Sequence, residues 1–105
     1  MTPSIINMAN RGFYKNTKTN VVKIFRFLKQ CEEEDRGHVT VGEISRGIDL
    51  HKWIVSRTID LWMHHFLDII IPERLEDVGL RIKLVKLKEP GLTEEQVLRS
   101  LTVKI

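Results

Sequence analysis

The sequence predicts an α+β domain: a three-helix core that carries a β-hairpin, with a basic N-terminal arm and a short C-terminal helix. Three observations predict it. Apolar residues recur at helical spacing over residues 20–34 and again over 51–66. Two β-rich segments, Leu67–Pro72 and Leu80–Leu87, are separated by "ERLEDVG", a polar stretch ending at Gly79, as in a hairpin. A chain of 105 residues, 42% hydrophobic and 30% charged, is long enough for one modest core and not for two. The expected division is an arm over 1–19, a folded unit over 20–88 and a C-terminal helical element over 89–105.

The elements follow in order. Residues 1–19 mix Asn, Thr and Gly with basic residues and lack a sustained period, which predicts an irregular arm with a helical turn at Ile5–Ala9. Asn20 is a good N-cap for the first long helix, ending near Glu34. On it Val21, Phe25 and Leu28 form one stripe, with Ile24, Phe27 and Cys31 beside it. That arc is wider than a single neighbour requires, so the helix is either deeply buried or meets a second subunit. The acidic run Glu32–Asp35 ends it, unfavourably placed against the helix dipole, and Gly37 breaks it. His38–Val41 suits a single edge strand, Val41–Arg46 a short helix burying Ile44, and Gly47 a turn. The helix from His51 to Phe66 places Val55, Ile59, Trp62 and Phe66 inward. Its opposite face holds Lys52, Trp53, Ser56, Arg57, Asp60 and His64, where His64 can hydrogen-bond Asp60 four residues earlier. Trp53 is expected to pack against the first helix or the hairpin. In the second strand Leu80, Ile82 and Leu84 alternate with Arg81 and Lys83, predicting one buried and one basic face. Thr93–Gln96 reads as a capping box opening the last helix, with Val97, Leu98 and Leu101 on its apolar side. That helix is too short to stand alone and must dock. No internal repeat is present.

Composition excludes several classes. One cysteine, Cys31, permits no internal disulfide and reads as a small apolar residue on a helix face. Clustered Cys/His pairs are absent, and the adjacent His64 and His65 point about 100° apart on a helix, so no metal site or other cofactor is expected. No strained nucleophile turn or glycine-rich phosphate loop occurs, which argues against an enzyme. The longest apolar run, Leu67–Ile71, is far short of the roughly 20 residues that span a bilayer. The N-terminus lacks the basic start and long apolar stretch of a secretion signal, so a cytoplasmic location away from membranes is expected.

Charge is unevenly distributed. Residues 1–31 carry six basic side chains and no acid, 32–79 carry five basic and eleven acidic, and 80–105 six basic and three acidic. A basic N-terminal segment is the electrostatic footprint of an anionic partner, most often nucleic acid. The acidic middle counts the other way.

The run "VTVGEISRGIDLHKWIVSRTIDLW" (39–62), followed by the hairpin, resembles the winged helix-turn-helix family of prokaryotic and archaeal DNA-binding regulators. There a β-branched residue and a Thr precede a short helix starting Glu-Ile, a turn follows, and the longer helix contains Val-Ser-Arg-Thr. Here these are Val39–Thr40–Val41, Glu43–Ile44, Gly47–Leu50 and Val55–Thr58. The resemblance implies a sequence-specific binder of double-stranded DNA and a regulator of transcription, its longer helix in the major groove. The reading residues would be His51, Lys52, Trp53, Ser56 and Arg57, Arg and Lys suiting guanine O6/N7. Arg74, Arg81 and Lys83 at the hairpin base would contact the DNA backbone, as would Arg11, Lys15 and Lys18 of the arm. Two departures stand out: Asp49 occupies a turn position often held by glycine, and the hairpin tip carries Glu76 and Asp77 where basic residues are usual. A two-fold homodimer, with its reading helices about 34 Å apart, would cover both the wide apolar arc and the C-terminal helix. The alternative is a protein–protein assembly module, which the acidic middle favours. RNA or single strands bound through Phe13, Tyr14 and Trp53 are a third reading.

Overall fold

A computed structural model describes residues 3–72 and 82–104, with side chains described at 16–72 and 82–101. Helix α1 (Pro3–Glu33) is followed by strand β1 (Val39–Thr40), helix α2 (Val41–Ile48), helix α3 (Lys52–Thr58), strands β2 (Leu67–Ile70) and β3 (Leu84–Leu87), and helix α4 (Glu94–Lys104). Among the described residues this is an α+β domain with four α-helices and a three-stranded antiparallel sheet in the order β1-β3-β2.

Helix α1 corrects the first expectation: the backbone is helical from Pro3 through the predicted boundary at Asn20. Arg11, Phe13, Tyr14 and Lys15 have side chains outside the described set, as do Arg74, Arg81 and the acidic hairpin tip. At its other end α1 stops at Glu33, one residue from the expected end, and Asp35 turns the chain out of it. Asp35 takes a left-handed backbone (φ 55°). Its N–H donates to the Glu32 carbonyl, and Arg36 N–H donates to the Cys31 carbonyl, so the last carbonyls are satisfied. The Arg36 guanidinium answers the acidic run, 3.9 Å from Glu34 and 3.1 Å from Glu43.

The wide arc of α1 is covered by its own chain. Val21, Ile24, Phe25, Leu28 and Cys31 are all buried, under α2, α3, β3 and α4. Each fully buried aliphatic side chain contributes about 1.5–3 kcal/mol. Burial also pushes the Cys31 thiol up from its ordinary pKa. Helix α4 docks on α1 through Val97 and Leu101. Its capping box is formed as expected: Gln96 N–H donates to Thr93 Oγ1 and Thr93 N–H to Gln96 Oε1. Arg26 holds Glu94 by two hydrogen bonds of 2.7 and 3.2 Å, and Lys29 donates to the carbonyls of Pro90 and Leu92. Both reasons for invoking a second subunit are thus met within one chain.

Helix α2 is capped by Thr40, whose hydroxyl accepts from Glu43 N–H while the Glu43 carboxylate accepts from Thr40 N–H. Gly47 lies inside this helix and not in the turn. Its value is space: a Cβ there would sit 2.2 Å from the Phe27 ring. The turn is made by Asp49, left-handed at φ 56°, with its N–H on the Ser45 carbonyl.

Beyond Thr58 helix α3 continues as a wider π-turn (Ile59–Met63) and one 3₁₀ turn (His64–Phe66). The looser winding keeps residues four apart on one face. The inward line is therefore Val55, Ile59 and Met63, with Trp62 and Phe66 only half-buried against it. In β3 the buried residues are Val85 and Leu87, whereas Ile82, Lys83 and Leu84 are all half-buried, so the predicted inward set of Ile82 and Leu84 is not the buried one. Register pairs Ile69 and Val39 on either side of Val85, and Leu67 opposite Leu87.

Two outcomes follow. Gly47→Ala is expected to lower stability by about 1–3 kcal/mol in urea unfolding through overpacking. In a Phe27→Ala background the same change becomes neutral or stabilising. The second concerns pH. The Arg26 hydrogen bond lowers the Glu94 pKa from its ordinary value. A lowered folded value stabilises above the unfolded pKa, about 4.3, and that contribution is lost as pH falls through the folded value. The melting-temperature gap between wild type and Glu94→Gln should be present at neutral pH and close well below pH ~4.

Candidate functional site

Helix α3 is pinned inward by Val55, Thr58 and Ile59, and Thr58 Oγ1 donates back to the Ile54 carbonyl at 2.7 Å. Its other side is left outward. Four of the five residues predicted to read a ligand, Lys52, Trp53, Ser56 and Arg57, lie on this side; the fifth, His51, sits at its N-terminal edge. Their situations differ.

His51 is the N-cap of α3. Its Nδ1 accepts from Trp53 N–H at 3.1 Å, so the neutral ring carries its proton on Nε2. Lys52 is exposed in the first turn, with its Cε 3.4 Å from where a Gly42 Cβ would lie, beside Arg46. Trp53 does not pack against the first helix or the hairpin: it is 61% exposed. The Arg57 guanidinium lies over its ring, 5.2 Å from the centroid, which holds the long side chain along the helix surface. Leu61, two turns on, is 49% exposed and continues the apolar strip.

Ser56 is half-buried, and its hydroxyl accepts from Lys83 Nζ at 2.9 Å. The same ammonium donates to both oxygens of Asp60 at 2.7 and 2.6 Å. Lys83, expected on the DNA backbone, is thus tied to α3. Asp60, expected to bond His64, is tied to Lys83 instead. The lysine reaches it because the chain just before β3 runs beside α3, which no spacing within one helix could reveal.

Two depressions flank the Trp53 ridge. One, about 770 Å³, lies between the start of α2 (Thr40, Val41, Gly42), α3 (Lys52, Ser56, Asp60) and the strand ends (Ile71, Ile82, Lys83). The other, about 430 Å³, separates α3 from Asn16, Thr17 and Asn20 of α1. Asn16, Asn20, Arg46 and Leu61 are thereby added to the residues the sequence pointed to. Lys18 is exposed on α1.

Charge on this surface is sorted by pairing. Among the described residues Arg46, Lys52 and Arg57 make no ion pair, whereas Glu43 is held by Arg36 and Asp60 by Lys83. Asp49 is exposed at the turn. No group of three His, Cys, Asp or Glu side chains able to hold a metal occurs among the described residues. No described helix is long and apolar enough to cross a membrane. No family model, curated protein or solved structure matches the chain.

Because Trp53 contributes little to the core, Trp53→Ala should leave unfolding free energy within about 0.5 kcal/mol of wild type. A larger loss in urea unfolding would assign the side chain a packing role.

Proposed function

We propose that this chain is a winged helix-turn-helix protein that binds double-stranded DNA sequence-specifically and regulates transcription. The observation that carries this reading is the sorting of charge on α3. Lys52 and Arg57 face outward without an ion pair; of the acids on α2 and on the continuation of α3, Glu43 and Asp60 are occupied within the chain, while Asp49 stands exposed at the turn. A helix with that outer face fits the major groove, where Arg57 can donate both N–H groups to guanine O6 and N7. The order of elements supports the same family: helix, edge strand, helix, turn, helix, then an antiparallel pair of strands. Asp49 fills the turn in the left-handed backbone that such a short connection requires. Lys18 is a proposed phosphate contact, as are Arg11, Lys15, Arg74 and Arg81, whose side chains lie outside the described residues. With α4 and the wide face of α1 covered by the chain itself, the proposal requires no second copy.

The exposed Trp53–Leu61 strip favours a second reading, a protein-docking module, since apolar side chains at a helix surface are typical anchors of protein interfaces.

The test is titration into a labelled mixed-sequence duplex at about 50 and 200 mM salt, followed by anisotropy. With about six phosphate contacts, affinity should fall by about three decades across that range. Arg57→Ala should weaken binding at least about tenfold, the loss of one good base pair contact. No binding at the lower salt overturns the DNA reading and turns attention to the apolar strip.

A further inference from the structure

Lys83 has three N–H donors, and the structure uses three hydrogen bonds on it: two to Asp60 and one to Ser56. Its side chain is the better buried partner, 23% exposed against 52% for Asp60. One N–H points between the two carboxylate oxygens and a second at Ser56, so the ammonium's charge is already matched by Asp60 before any phosphate approaches. The carboxylate it holds lies on the outer side of α3, one turn beyond Ser56, where a bare negative charge would repel any polyanion. Ser56, accepting from the lysine, keeps its own O–H to donate.

Resting on the DNA reading above, we propose that Asp60 and Lys83 form a charge clasp that sets how the α3 face meets nucleic acid. Lys83 acts as a positioning residue: it cancels Asp60 and turns the Ser56 hydroxyl outward as a donor, instead of contacting phosphate. Asp60 in turn keeps Lys83 from adding a sequence-independent phosphate contact. The pair thereby restricts binding on this side of α3 to groups that accept from Ser56 and Arg57. The opposing idea, Lys83 as a direct phosphate contact, makes a different prediction for the double variant.

The experiment measures duplex affinity at about 50 and 200 mM salt for wild type, Arg57→Ala, Lys83→Gln, Asp60→Asn and the double variant. Lys83→Gln bares Asp60 and should weaken binding about fivefold. Asp60→Asn frees the lysine, and should tighten binding while steepening the salt dependence by about one ion. The double variant, with neither charge, should return to within about threefold of wild type, since each charge compensates only the other. Melting of the same proteins without DNA should be non-additive by about 2–4 °C, the coupling of an exposed pair.

A double variant as weak as Lys83→Gln overturns the clasp and makes Lys83 a phosphate contact, with the DNA reading intact as long as Arg57→Ala still weakens binding. Strictly additive melting also overturns it, because the two side chains would then not be coupled. Wild type failing to bind any duplex overturns the DNA reading itself and the clasp with it.

Discussion

Everything in this fold rests on the apolar arc of α1. Val21, Ile24, Phe25, Leu28 and Cys31 present more buried surface than one neighbour can cover, and α2, α3, β3 and α4 each take part of it. Burial at about 25 cal/mol per Å² rewards that shared arrangement. It also fixes the orientation of α3, because the side holding Val55, Ile59 and Met63 must face α1 and the sheet. The outward direction of Lys52, Trp53 and Arg57 is a consequence of where the core lies, not of any contact they make.

The same frame explains the sorting of charges. Polar groups at the edges of the core are satisfied locally: Glu43 by Thr40 and Arg36, His38 by Asp68 at 2.9 Å, His65 by Ser100 at 2.6 Å. Among the described residues no buried side-chain polar atom lacks a partner. Acids are drawn to cations that the fold brings close, and Lys52 and Arg57 of α3 are left without an ion pair. Exposed pairs of this kind add little stability, at most about 1 kcal/mol each. Their weight lies in the electrostatic surface they leave behind.

Helix ends illustrate a second constraint. Both α1 and α2 are followed by an aspartate in the left-handed region, Asp35 and Asp49; Gly37 is left-handed too (φ 72°), whereas Gly47 lies inside α2 against Phe27. Asp tolerates that backbone better than most residues with a side chain. Reading Gly47 as the turn therefore ended α2 two residues early, at Arg46 instead of Ile48, while the end of α1 near Glu34 was within one residue. At Gly47 the missing side chain matters because α2 crosses α1 against Phe27, a fact of packing that has no local signature.

By itself the sequence determined the elements whose signals are local. The period of Val21 to Cys31, the capping box at Thr93–Gln96, an edge strand within His38–Val41 and the outward positions of Lys52 and Arg57 follow from spacing and side-chain chemistry alone; the exposure of Trp53, expected to pack, does not. Tertiary structure decided the rest, for identifiable reasons. The helicity of residues 3–19 carries no clear apolar period. The inward line of Val55, Ile59 and Met63 depends on a π-turn that no propensity forecasts. The phase of β3 was ambiguous because Leu84 and Val85 are both apolar. The tie of Lys83 to Asp60 and Ser56 joins residues 23 and 27 positions apart, and only the approach of one chain segment to another creates it.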